Sequence, residues 1–159
     1  MLYLDNNATT PIDPEALEAM TRVAGRAWGN PGSRHLAGRR ARQALEDARE
    51  SLAEILNASP LEVVFTSGGT ESNNFAITGL TRAGLSGLAT EESRTGTILL
   101  PPGEHPATEE PVRRLVSLGW IRQDLKLDET VRIQSDIESI PLDDVLLATA
   151  LLAHNETGV

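Results

Sequence analysis

The sequence contains no cysteine and a single lysine, Lys126, among its 159 residues. The first absence excludes a disulfide framework and a thiolate metal site. Aromatic residues are scarce, with two Trp, two Phe and one Tyr, so a core must be built mostly from Leu, Ile, Val and Ala. No apolar run is long enough to span a bilayer. The opening Met1-Leu2-Tyr3-Leu4-Asp5 lacks the basic start and apolar stretch of a secretory signal. A cytoplasmic, membrane-free protein is therefore the expectation. The three histidines, His35, His105 and His154, are far apart and show no zinc-type spacing. No Gly-x-Ser-x-Gly elbow supports a serine hydrolase.

An excess of positive charge is also lacking, because the formal net charge is −9. The densest basic stretch, Arg34, Arg39, Arg40 and Arg42, is followed at helical spacing by Glu46, Asp47 and Glu50. That pattern reads as a solvated, ion-paired helix face, and no nucleic-acid partner is expected.

What is present is an alternation of helices and strands. Asp13-Pro14-Glu15 signals a helix start, and Leu17, Met20, Val23 and Ala24 follow at helical spacing. After the turn cluster Gly29-Asn30-Pro31-Gly32-Ser33, a longer helix carries Ala37, Ala41, Ala44, Leu45, Ala48, Leu52 and Ile55, and stops at Asn57 to Pro60. Strands are expected over 62–66, 97–100, 131–133 (weak) and 149–153. Helices are expected over 71–80, 106–118 and 141–147, with a loop over 84–96. The alternation predicts an α/β fold with a mainly parallel sheet and flanking helices.

One local constellation carries chemistry. Ser67-Gly68-Gly69-Thr70-Glu71-Ser72-Asn73-Asn74 lies between an expected strand and an expected helix. Glycines let backbone approach an anion, and a helix N-terminus presents unpaired N–H groups. Thr70 adds a hydroxyl. The segment suits a phosphate, although it is neither a P-loop nor a GxGxxG fingerprint. A plain glycine-rich turn with Thr70 as cap explains the same residues.

Five blocks occur in order: Leu4-Asp5-Asn6-Asn7-Ala8-Thr9-Thr10; Gly29-Asn30-Pro31-Gly32-Ser33-Arg34-His35 with Gly38-Arg39; Phe65-Thr66-Ser67-Gly68-Gly69-Thr70-Glu71-Ser72-Asn73-Asn74; Glu104-His105; and Asn155-Glu156-Thr157-Gly158. Their order and spacing resemble the cysteine desulfurases of the nitrogen-fixation and iron–sulfur-assembly type, over nearly the whole chain. Residues 120 to 148 match least, Gly32 stands where a serine is usual, and His154 stands where an asparagine is common.

The resemblance implies part of an aspartate-aminotransferase-type large domain. Residues 1–20 would lie at its junction with a small domain, and residues 21–159 would form its N-terminal portion. It implies pyridoxal 5′-phosphate as cofactor, L-cysteine as substrate, a sulfur-acceptor or scaffold protein as partner, and a homodimer. Gly69 and Thr70 would hold the cofactor phosphate. His105 would stack on the pyridine ring and move protons, and Asn155 would contact the ring hydroxyl. Each has a structural rival: His105 as a helix cap, Asn155 as a turn residue. His35 reads as a loop residue without a catalytic role.

The family's cofactor-binding lysine, the aspartate that pairs with the pyridine nitrogen and the sulfur-carrying cysteine would all lie later than Val159. Lys126 sits in a polar context and reads as a surface residue. The chain is therefore expected to be an inactive N-terminal portion of such an enzyme. The alternatives are a portion of another class V aminotransferase-fold enzyme, such as a selenocysteine lyase or an aminotransferase, and a degenerate non-catalytic module.

Overall fold

Asp13 and Pro14 start the first helix, as their side chains dictate. In the computed structural model, which describes residues 2–6, 8–86, 96–134, 142 and 144–154, α1 spans Pro14–Arg26. Asp13 Oδ1 accepts the N–H groups of Glu15 (2.8 Å) and Ala16 (3.3 Å), and Pro14 fills the first position, where no donor is needed. Two compact units make up the chain, Met1–Phe65 and Thr66–Val159.

In the first unit α2 spans Leu36–Leu56 and ends at Asn57, which takes the left-handed conformation (φ 51°) that asparagine tolerates. His35 is not an idle loop residue. It caps α2, with Nδ1 accepting the Gly38 N–H at 3.2 Å. The Gly29–Ser33 cluster is clamped to the same turn. Arg42 Nε donates to Pro31 O (2.8 Å) and Gly32 N–H donates to Asn30 Oδ1 (2.8 Å). A Cβ on Gly38 would lie 2.3 Å from Ser33 O and 2.7 Å from Asn30 O. Only glycine permits this approach.

The apolar stripes of these two helices are largely exposed. Leu17, Met20 and Val23 of α1 are exposed, and so are Ala48, Leu52 and Ile55 of α2. The buried positions of α2 are Gly38, Ala41 and Ala53. The strand expected over 62–66 is also absent. Pro60–Glu62 is a single 3₁₀ turn closed by a Ser59–Glu62 capping box, and Val63 is extended without strand pairing. Arg49 holds this segment: its guanidinium donates to Val63 O and lies 5.0 Å above the centre of the Phe65 ring.

The second unit opens with α3, Gly69–Ser86, which starts at Gly69 rather than Glu71 and runs past Leu80. There follow β1 (Thr97–Leu100), α4 (Pro106–Ser117), β2 (Ile121–Asp124) and β3 (Val145–Ala148). The sheet order is β2-β1-β3 and both pairings are parallel, with Ile98 opposite Arg122 on one side and Leu147 on the other. All four residues of β1 are buried, as expected for a central parallel strand covered on both faces. Ile77, Ile98, Leu100, Val112, Leu115 and Trp120 form the core, with Leu147 packed against it. Each large apolar side chain buried there contributes about 1.5–3 kcal/mol.

Three sequence expectations fail in this unit. The Val131–Ile133 strand is only an isolated antiparallel bridge between Leu127 and Ile133. Asp128 organises that turn by accepting the N–H groups of Thr130 and Arg132 and the Thr130 hydroxyl at Oδ1, while Val131 takes a left-handed φ of 65°. The strand beside β1 is instead Ile121–Asp124, hidden in the sequence by its polar composition. Arg122 is half-buried and pairs with both Glu109 and Asp124, which makes its charge tolerable and holds its guanidinium well above its ordinary pKa, chiefly through Glu109. Finally, β3 occupies Val145–Ala148 rather than 149–153. It overlaps the helix expected over 141–147, of which Pro141 and Asp143 lie outside the described residues. Parallel pairing with β1 outweighs the helical reading of Pro-Leu-Asp-Asp.

Candidate functional site

A parallel sheet presents loops at the carboxyl ends of its strands, where open α/β folds gather ligands. Here β1 runs out at Leu100 into Pro101-Pro102-Gly103-Glu104-His105, and α4 begins at Pro106. Gly103 has φ +87°, a conformation that favours glycine, so the chain reverses there. His105 caps α4: Nδ1 accepts the Ala107 N–H at 3.0 Å, and Pro106 occupies the first helical position. With Nδ1 acting as acceptor, Nε2 carries the ring proton. The ring is exposed. Capping uses one nitrogen and leaves the other nitrogen and the ring face for other work.

The first turn of α3 is built differently. Gly69 and Thr70 are its first two residues, both exposed. Glu71 reaches back, and its Oε2 accepts both the N–H and the hydroxyl of Ser67 at 2.6 Å. These two bonds, the hydroxyl first, hold the Glu71 carboxyl below its ordinary pKa. Thr66 Oγ1 and Ser72 Oγ share a 2.6 Å hydrogen bond, and Ser72 N–H donates to Gly68 O. The turn is thus braced by Ser67, Glu71, Thr66 and Ser72. Gly68 takes part through its carbonyl alone, and a Cβ at Gly68 or Gly69 would meet nothing within 4 Å; neither has a positive φ. Packing within the chain and backbone conformation do not call for glycine at these positions. Bare backbone here suits close approach by an outside group.

The two helix starts are joined. Asn73 Nδ2 in the first turns of α3 donates to Thr108 Oγ1 of α4 at 3.2 Å, and Thr108 is buried. The structure therefore brings the Gly69–Thr70 turn and the His105 cap to one end of the sheet. Asn155 lies outside the described residues, as do Asn7, Glu156, Thr157 and Gly158. Lys126 is exposed in the segment after β2. Among the described residues no group of three His, Asp or Glu side chains could hold a metal ion, and no helix is long and apolar enough to cross a membrane.

The sequence places Glu104 and Asn73 in motif blocks but shows no role for either, and it does not point to Thr108. Glu104 is only 6% exposed, and its Oε1 accepts the Leu151 N–H at 2.7 Å. Its partner lies 47 residues away.

A parallel sheet with two helix N-termini gathered at its carboxyl edge is a framework suited to an anionic ligand. Residues 2–159 match the family model described as Aminotransferase class-V, and the chain belongs to that family. It is 36% identical to the selenocysteine lyase of Homo sapiens and 40% identical to the cysteine desulfurase IscS of Methylobacillus flagellatus; each alignment covers 99% of this chain and 38% of the relative. Among solved structures, a NifS-like protein superposes with a TM-score of 0.83 at 33% identity, over 98% of this chain and 41% of that one. The chain thus spans about two fifths of the length of the relatives it matches.

The class V aminotransferase family is dependent on pyridoxal 5′-phosphate. The residues present fit that group. The glycine-rich start of α3 offers bare backbone and a hydroxyl for a phosphate, and His105 offers an exposed flat ring beside the same strand end.

Proposed function

We propose that this chain supplies the phosphate- and ring-holding portion of a pyridoxal-phosphate-dependent cysteine desulfurase, with Gly69 and Thr70 on the phosphate, His105 against the ring and Asn155 at the ring hydroxyl. The observation that supports this reading is the Asn73–Thr108 bond, which joins the first turns of α3 and α4. When bound, the cofactor supplies the electron sink, and the protein's task is to orient it. The N–H groups and hydroxyl at the start of α3 bind the phosphate and set its position. His105 follows the central strand and keeps Nε2–H out of its cap bond, and an imidazole is suited to moving a proton.

The reaction proposed for the enzyme is L-cysteine plus an enzyme thiol giving L-alanine plus an enzyme persulfide. Sulfur moves from substrate carbon to the thiol sulfur, and the thiol proton is returned to carbon. The acceptor thiol is not in this chain, which has no cysteine. We therefore infer that the chain alone carries out no sulfur transfer, and that a homodimer and a sulfur-accepting partner belong to the larger enzyme. The selenocysteine lyase relatives support a second reading, in which the same cofactor site acts on L-selenocysteine.

The test is calorimetric titration of the chain with pyridoxamine 5′-phosphate, which has no aldehyde to react with Lys126 or the N-terminus, and with inorganic phosphate. Saturable binding of both, tighter for pyridoxamine phosphate, is expected. Absence of saturable binding of either would sink the reading. Sulfide and alanine production from L-cysteine should equal that of free cofactor.

A further inference from the structure

Beyond the phosphate turn and the His105 ring, the carboxyl edge of the sheet carries a second device. The last ladder bond between β3 and β1 is Thr149 N–H to Leu99 O at 2.9 Å. Past that point the chain leaves the sheet, yet two contacts still tie it to the turn that carries His105. Glu104 Oε1 accepts the Leu151 N–H, and His154 Nε2 lies 3.0 Å from Gly103 O. A carbonyl only accepts, so His154 donates from Nε2.

A cavity of about 340 Å³ opens beside these contacts, lined among others by Gly103, Glu104, Leu127, Ile133, Leu151 and His154. Where side chains leave space, directional hydrogen bonds set the separation of two segments. Burying a carboxylate is unfavourable unless it is well bonded. Glu104 is buried and its bond goes to backbone, so it fixes the course of the main chain rather than the pose of another side chain.

We propose that Glu104, assisted by His154, is a positioning residue of the cofactor-ring site: it holds the Leu151–His154 backbone at a set distance from the turn that carries His105. This rests on the reading that His105 faces the cofactor ring. The device leaves phosphate binding alone, because that function belongs to the start of α3.

The experiment compares affinities for pyridoxamine 5′-phosphate and inorganic phosphate in the full chain, together with hydrogen exchange of the Leu151 amide. Their affinity ratio isolates the ring's share of binding. In the unaltered chain the ratio should be at least about tenfold, the scale of one well-made contact. Glu104→Leu should bring the ratio close to one, leave phosphate affinity unchanged and expose the Leu151 amide to exchange. Glu104→Gln keeps an acceptor oxygen and should restore both ratio and protection. If Glu104→Leu does not fold, His154→Leu at a partly exposed position serves instead and should lower the ratio without changing phosphate affinity.

A ratio unchanged in the folded Leu variant overturns the inference while leaving the cofactor reading intact. A Leu151 amide that stays protected in Glu104→Leu also overturns it. A wild-type ratio of one sinks the ring-site reading itself, and this inference with it.

Discussion

Asn73 of α3 donates its amide hydrogen to the hydroxyl of Thr108 in α4, 35 residues along the chain, at a distance of 3.2 Å. Thr108 N–H in turn donates to the carbonyl of His105. One short path thus leads from the helix that starts at Gly69 to the residue that caps α4. His105 itself follows the carboxyl end of the central strand, where a parallel sheet places its site.

Removing the Thr70 hydroxyl should weaken anion binding without unfolding the chain, because Thr70 is exposed. A lost charge-assisted hydrogen bond corresponds to about 1.5–3 kcal/mol, or roughly ten- to a hundredfold in affinity. Titration of Thr70→Ala with inorganic phosphate and with pyridoxamine 5′-phosphate should show the same loss for both. Unchanged affinity for both would show that the hydroxyl takes no part.

His105 has two separable duties, and two substitutions separate them. His105→Asn retains a good cap for α4 and should melt close to the unaltered chain. His105→Ala loses the cap and should cost about 1 kcal/mol. Both lose the ring, so both should bind pyridoxamine 5′-phosphate more weakly while keeping their affinity for inorganic phosphate. If His105→Asn binds pyridoxamine phosphate as well as the parent does, His105 is a cap and nothing more.

Glu71 should make the start of α3 sensitive to acid. The Ser67 hydroxyl and N–H hold its carboxyl below its ordinary value in the folded chain. The unfolded chain therefore takes up the proton first as pH falls. The stabilisation is fully present above the ordinary glutamate value and is lost as pH falls through the lower folded value. Denaturant midpoints for Glu71→Gln should fall less than those of the parent between about pH 5 and pH 3. Asp128, held low chiefly by the Thr130 hydroxyl and then by Arg132 N–H, adds a component of the same sign. Parallel pH profiles for parent and Glu71→Gln would refute the coupling.

Gly38→Ala should loosen the turn that precedes α2. The added carbon would lie 2.3 Å from Ser33 O, and that backbone atom must move. Overpacking of this kind costs about 1–3 kcal/mol. Faster amide exchange in the first turn of α2 is the expected signature. Gly25→Ala, where a Cβ meets nothing within 4 Å, is the control and should be neutral or mildly stabilising. Equal exchange in the two variants would contradict the close-approach argument.

Local chemistry was legible from the residues alone. Asp13-Pro14 starts α1, Asn57 ends α2, Pro106 opens α4, and the apolar run 97–100 is the buried central strand. Each depends on neighbours a few residues apart, and caps, proline and β-branched runs act over that range. The glycine turn before α3 and the Glu104-His105 pair after β1 could be picked out for the same reason.

Long-range pairing was not legible. Ile121–Asp124 becomes a strand because β1 accepts it and Glu109 neutralises Arg122. Val63–Phe65 is in no strand pairing, and Arg49 donates to the Val63 carbonyl. No periodicity within either segment carries that information. Likewise, nothing near Glu104 in sequence indicates that its carboxylate is buried on the Leu151 amide, and nothing near Asn73 indicates Thr108. Backbone preference and capping are properties of short stretches of chain. Strand pairing, carboxylate burial and the meeting of two helix starts depend on groups that only folding brings within hydrogen-bond distance.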